Sequence, residues 1–180
     1  MLFRSVDEIN NVGGYLGRPL ELVIKDDTAN PDEGLRQSKA LVAEKVSAVL
    51  GFCNTGVAAK SIEVFQAAKL PLIIPCATGS PLTARFPAPE SYIFRTSARD
   101  AIQAPFVVDD IVRRGWTKVA IFADSSGYGE AGLKDVQAAL ATLDHNFGYS
   151  PVLALAGSRR RVRQLAQLRQ IAPLVAWYGR

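Results

Sequence analysis

The chain has 180 residues, 48% of them hydrophobic, enough for one large domain or two small ones with a real core. No run approaches the ~18 consecutive apolar residues of a membrane span, and the opening MLFRSVDEIN lacks the apolar stretch of an export signal. The net charge of +4 is a property of the tail: residues 1–144 hold 15 Lys and Arg against all 17 acids, and residues 145–180 hold six Arg and no acid.

Taken in chain order, short β-rich runs alternate with helical stretches. VDEINNVGG reads as the end of a helix closed by Gly13 and Gly14. LELVIKD follows as a strand, and DDTAN as the loop beyond it. PDEGLRQSKALVAEK predicts a helix with Pro31 in its first turn, and Asp32 and Glu33 near the positive end of the dipole. Its apolar positions Leu35, Ala40, Leu41, Val42 and Val46 suit packing on a sheet. VSAVLGF, LPLIIP, YIFRT, KVAIFA and PLVAW are the further strands. AAKSIEVFQAAK and ARDAIQAPFVVDDIVRRG are helices, the second with Pro105 in its first turns or at a kink. Continuous apolar strands such as LPLIIP belong to sheets covered on both faces, and the alternation gives a doubly wound parallel α/β fold. Such sheets bind ligands at the C-terminal ends of their strands, which selects the loops DDTAN, CNTG, CATGSPLT and DSSGYG.

GYGEAG, from Gly127 to Gly132, fits the G-x-G-x-x-G spacing of a dinucleotide loop, but its context does not. Asp124, Ser125 and Ser126 separate the strand from Gly127, and no acid stands about 20 residues on to hold a ribose. Two readings remain: an ordinary strand-to-helix turn, or glycines that present Tyr128 toward a cleft. Asp26 and Asp27 could form a magnesium pocket, although carboxylates that cap a loop are far commoner, with Thr28 and Asn30 as turn and cap partners. A metal enzyme built on Asp26 or Asp27 stays the third choice. Cys53 and Cys76 each follow an apolar run, so they stand as neighbours at the ends of parallel strands, either as free half-buried thiols or as a disulfide. His145 is the single histidine, which leaves zinc sites and His-based triads without support. The Arg-rich SRRRVRQLAQLRQ, Ser158 to Gln170, reads as a solvated helix face or an anionic contact; it lacks the interleaved aromatics of a nucleic-acid platform.

Two polar turns can hold a small molecule without chemistry. Asn54, Thr55 and Gly56 precede a helix, whose free N–H groups and positive end suit a carboxylate. Thr78, Ser80 and the carbonyls of CATGSPLT can accept from an ammonium group. Together they suit an amino acid; the plainer alternative is that they are cap and turn residues only.

VDEINNVGGYLGRPLELVIKDD, VLGFCNTG, LPLIIPCATGSPLT, YIFRT and DSSGYGEAG, in this order over residues 5–150, resemble the type I periplasmic binding proteins of branched-chain amino acid ABC transporters. The resemblance implies a bilobed pair of α/β units closing on a solute, with no catalysis, no cofactor, no bound metal and no nucleic-acid partner. A membrane permease would receive the solute, and the intact protein would be periplasmic or otherwise extracytoplasmic. By position, Asn54 and Thr55 would meet the ligand carboxylate; Ala77 through its backbone and Thr78 through its hydroxyl and N–H would hold the α-amino and carboxylate groups. Tyr128 would close over the ligand from the second lobe. The first lobe would span residues 1–96 and a partial second lobe residues 97–180. The usual first strand, which lies between LELVIKD and VSAVLGF, is missing, so the fold is expected to be incomplete and the chain to be a fragment. A ligand-sensing module on the same fold is the alternative.

Overall fold

The computed structural model describes residues 2–116, 119–142 and 175–178. Helix α1 (Leu2–Asn11) ends at Gly13 and Gly14, both at positive φ, with the Gly14 N–H returning to the Ile9 carbonyl at 2.9 Å. A Cβ on Gly14 would lie 2.2 Å from the Arg18 carbonyl oxygen, so the turn that follows tolerates only glycine there.

Helix α2 (Pro31–Ala43) starts as its sequence dictates. Asn30 is the N-cap, its side-chain oxygen accepting from the Asp32 and Glu33 N–H groups, and Pro31 sits where no amide donor is needed. The Asp26 and Asp27 carboxylates accept from the N–H groups of Thr28 and Ala29 and so build the preceding turn. Among the described residues no cluster of three or more His, Cys, Asp or Glu could hold a metal.

The first sheet is parallel, with order β1 (Val49–Leu50), β2 (Leu72–Ile74), β3 (Ile93–Arg95). Its register sets Val49 opposite Leu72, and Leu72 opposite Ile93. Helix α3 (Thr55–Ala67) crosses from β1 to β2, and the short α4 (Pro81–Ala84) lies between β2 and β3. Ala58, Ile62 and Phe65 of α3 join Leu72, Ile74, Leu82 and Ile93 in one buried core, with Leu41, Val42 and Val46 packed at its border. Helix α2 lies close on α3: a Cβ at Gly34 would fall 2.3 Å from Val57 Cγ1.

A second parallel pair, β4 (Ala120–Ala123) and β5 (Val175–Tyr178), forms its own sheet. Helices α5 (Asp100–Arg113) and α6 (Gly127–Ala141) pack together beside it, burying Ala104, Val108, Ile121, Val136 and Leu140 in a separate core. Pro105 is inside α5.

The expected strand LELVIKD is not a strand. Residues 20–26 belong to no ladder, and Val23 and Ile24 are exposed, Ile24 to 62%. The physical reason is the want of a neighbour. A strand is held by inter-strand hydrogen bonds, and the strand that the resemblance places between this segment and β1 is absent among the described residues. For the same reason β1 is the sheet edge on that side, and Leu50 is 52% exposed. KVAIFA and PLVAW provide β4 and β5, with residues 173–174 outside the described set, as are His145 and the Arg-rich Ser158–Gln170 segment. No described helix is long and apolar enough to cross a membrane.

Candidate functional site

The two threonine-bearing turns meet. Both leave the C-terminal ends of neighbouring parallel strands, and the Gly79 N–H donates to the Thr55 hydroxyl at 3.2 Å. The approach requires glycine: a Cβ on Gly79 would lie 2.2 Å from Thr55 Cγ2. The Ala77 N–H donates to the Phe52 carbonyl at 3.0 Å, which ties the same turns one step closer to the strands.

Asn54 and Thr55 are largely committed to the fold. Asn54 caps α3, its Oδ1 accepting from the Gly56 and Val57 N–H groups, while its Nδ2 donates to Ser126 Oγ at 3.0 Å. Thr55 is buried and its hydroxyl holds Gly79. Their sequence pattern is thus first of all capping chemistry; the positive end of α3 stands at the turn, but these two side chains are already engaged.

Ala77 is fully buried, and its carbonyl accepts from the Ser97 hydroxyl at 3.3 Å. Thr78 differs from its neighbours. Its carbonyl is held twice, by the Asp100 N–H and the Arg95 guanidinium, each at 3.0 Å. Its hydroxyl oxygen is buried without a hydrogen-bond partner in good geometry, and so are both carboxylate oxygens of Asp100. Buried polar atoms are seldom left so. Burial pushes the Asp100 carboxyl above the usual carboxylate range; the nearby Thr78 hydroxyl opposes this, and the charge of Asp135 adds to it.

Tyr128 comes from the other sheet's side of the molecule. Ser126 caps α6 by accepting from the Tyr128 N–H, and it is itself fixed by donating to Asp124 Oδ1. The phenol is half-buried and within reach of the Thr78 hydroxyl. Burial raises its pKa, Thr78 counters, and the Asp100 carboxylate raises it further. The glycines beside it allow the approach. A Cβ on Gly127 would stand 2.7 Å from Gly56 Cα, so the N-termini of α3 and α6 touch backbone to backbone. Gly129 is pressed on its own turn, its added Cβ falling 2.3 Å from the Asp124 carbonyl oxygen.

Thr78 and Tyr128 therefore converge, while Asn54, Thr55 and Ala77 frame the turns around them. Sequence reasoning missed Asp100, which sits at the first position of α5 and reads there as a helix-dipole partner. It also missed Arg95, whose guanidinium donates to the carbonyls of Thr78 and Gly79 and to Thr83 Oγ1 at 2.8–3.0 Å. The basic residue closing YIFRT was the available signal. A cavity of about 200 Å³ lined by Gln66, Arg85 and Phe86 lies at the other end of α3 and takes no part in this constellation.

The arrangement presents buried acceptors and donors that can hold a small polar molecule. Comparisons with known proteins agree with it. The pattern of the periplasmic binding protein family matches residues 5–158. "Leu/Ile/Val-binding protein homolog 3" of Brucella melitensis is 33% identical over 132 residues, 73% of this chain and 35% of that protein. The leucine-, isoleucine-, valine-, threonine- and alanine-binding protein of Pseudomonas aeruginosa is 29% identical over 127 residues, 70% of this chain and 33% of that protein. Among solved structures, the branched-chain amino acid transporter substrate-binding protein of Streptococcus pneumoniae in complex with isoleucine superposes with a TM-score of 0.73 at 26% identity, covering 92% of this chain and 46% of that one. A Rhodopseudomonas palustris solute-binding protein in complex with benzoate shares the fold, with a TM-score of 0.75 at 19% identity over 93% of this chain and 48% of its own. The chain spans about a third of the length of these curated relatives and about half of these solved structures. By its sequence pattern and its parallel α/β architecture, the chain belongs to the periplasmic binding protein family of solute-binding proteins.

Proposed function

We propose that this chain is part of an extracytoplasmic solute-binding subunit of an ABC transporter, with an amino acid of the branched-chain type or a related small carboxylate as its solute. The observation that carries this reading is the polar cluster of the Thr78 hydroxyl and the Asp100 carboxylate, buried together where Tyr128 approaches from the second sheet's side. A ligand ammonium would give Asp100 a charged donor beyond the neighbouring Thr78 hydroxyl, and a ligand carboxylate would be favoured near the positive end of α3. The names of the relatives, which specify leucine, isoleucine and valine, support the same class of solute.

On this reading residues 1–96 contribute to one lobe and residues 97–180 to part of another, with the crossover near Ser97. Ligand strengthens contacts between the lobes, and the closed form is presented to a membrane permease. Tyr128 is the contact of the second lobe, Thr78 that of the first. Asn54, Thr55 and Ala77 set the geometry of the turns, and their remaining backbone groups line the ligand.

Calorimetric titration of leucine, isoleucine, valine and benzoate into the protein, expressed with the sequence that flanks this chain in its gene, tests the reading. Thr78→Ala should weaken the tightest of these by roughly 10-fold or more, the worth of a hydrogen bond to a charged group. Heat of binding from none of the four overturns the class of solute. Equal affinity in the variant removes Thr78 from the site.

A further inference from the structure

Cys53 and Cys76 occupy matched places at the ends of adjacent strands. The parallel register pairs Val49 with Leu72 and Leu50 with Ile73, and the same offset, carried on, sets Cys53 opposite Cys76. The two chains stay together beyond the ladder. The Gly51 N–H donates to the Ile73 carbonyl at 3.1 Å, and the Ala77 N–H donates to the Phe52 carbonyl at 3.0 Å, a bond that the cysteines flank. Paired strands lie ~4.8 Å apart, inside the ~4.4–6.8 Å between Cα atoms that a disulfide requires. Both thiols are free and reach solvent, and Cys76 stands near enough to perturb the Cys53 thiol. They are more exposed than the half-buried thiols that sequence alone suggests, because both stand past the last covered residues of β1 and β2.

We propose that Cys53 and Cys76 are a reversible dithiol–disulfide pair that, when oxidised, locks together the two turns carrying Thr55 and Thr78. The oxidant is a small-molecule or protein disulfide. One cysteine thiolate attacks it and releases one thiol; the other cysteine then displaces the second half, forming the Cys53–Cys76 bond. The protein dithiol loses two electrons and two protons, and the oxidant's disulfide is reduced to two thiols. Partial burial and the neighbouring Cys76 push the Cys53 thiol up to about 11. Little thiolate is therefore present there at neutral pH, which fits a slowly formed crosslink rather than a catalytic dithiol. The bond closes a loop of 22 intervening residues. It does not depend on the identity of the solute, nor on whether the chain binds one.

The test equilibrates the 180-residue chain with oxidised glutathione or with a phosphine reductant, then alkylates and measures intact mass and thermal unfolding. The oxidised sample should lose two hydrogens, take up no alkylating reagent and yield a joined tryptic pair, Val46–Lys60 with Leu70–Arg85. Its midpoint should rise on the order of 5–10 °C over the reduced sample. In C53S and C76S the remaining cysteine should instead carry a glutathione adduct. Two alkylatable thiols after oxidation, two separate glutathione adducts, or bonds formed only between chains would each overturn the proposal. A midpoint shift that persists in the C53S/C76S double variant would do so as well.

Discussion

Asp100→Asn isolates the conflict between burial and charge at the candidate site. The residue is 1% exposed, neither carboxylate oxygen has a partner in good geometry, and burial is the leading cause that lifts its pKa above the ordinary 3.8. A carboxyl that binds its proton more tightly when folded than when unfolded makes stability fall as pH rises. The fall begins near the unfolded value and is complete above the raised folded one. The penalty on the wild type therefore grows as pH rises through this window. An unpartnered buried polar atom costs about 1–3 kcal/mol, and more when charged. Asparagine removes the charge but keeps a polar amide in the same place, so the gain is a part of this, about 1 kcal/mol at pH 7. With a urea slope of ~2 kcal/mol/M the midpoint should move up by ~0.5 M. The gap between the two proteins should narrow as pH falls toward the unfolded value, because the folded wild-type carboxyl takes up its proton first. Urea unfolding across this range reads the result. A variant less stable than wild type at pH 7 by 1 kcal/mol or more would refute the reasoning, since it would mean that the ionised carboxylate is well satisfied in the fold.

Two further substitutions test how the turns are held. Gly127→Ala places a methyl 2.7 Å from Gly56 Cα, so α3 and α6 must part; overpacking of this kind costs about 1–3 kcal/mol, and an unchanged or raised urea midpoint would count against the backbone contact. Arg95→Ala removes three bonds that organise residues 78–83 and should lower stability by about 2–3 kcal/mol in thermal melts. Arg95→Lys should fall between the two, since one ammonium cannot span both carbonyls and Thr83; a loss below ~0.5 kcal/mol in the alanine variant would show the guanidinium to be dispensable.

Local chemistry was legible wherever its cause is local. Asn30 followed by Pro31, Asp32 and Glu33 states the start of α2 in consecutive letters, and the Gly13–Gly14 pair states the end of α1. LPLIIP reads correctly as a buried strand because its apolar run is continuous. LELVIKD has a similar apolar centre and is no strand, since pairing is a property of the neighbour and not of the segment. Asp100 escaped notice for a similar reason. A carboxylate at the first turn of a helix is ordinarily a solvated dipole partner, and only the return of the 78–80 turn over α5, through the Asp100 N–H to Thr78 and the Ala101 N–H to Ser80, buries it.

GYGEAG shows how far spacing alone can mislead. Glycines at such intervals are needed wherever backbone must approach something closely, and the sequence does not say what that is. In a dinucleotide loop it is a pyrophosphate. Here Gly127 meets Gly56, a residue of another helix, and Gly129 meets its own preceding turn. The consequence reaches the site, because the same contact aligns Asn54 with Ser126 and brings Tyr128 near Thr78. Asn54 is thereby occupied twice, as the cap of α3 and as the tie to α6, and Thr55 is occupied by Gly79. Side chains already well hydrogen-bonded gain little from a ligand that must first break those bonds, whereas buried groups whose bonds are poorly aligned gain more from a new partner. On the proposed solute-binding reading, the weight of recognition would thus move from Asn54 and Thr55 to Thr78, with Asp100 and Tyr128 beside it.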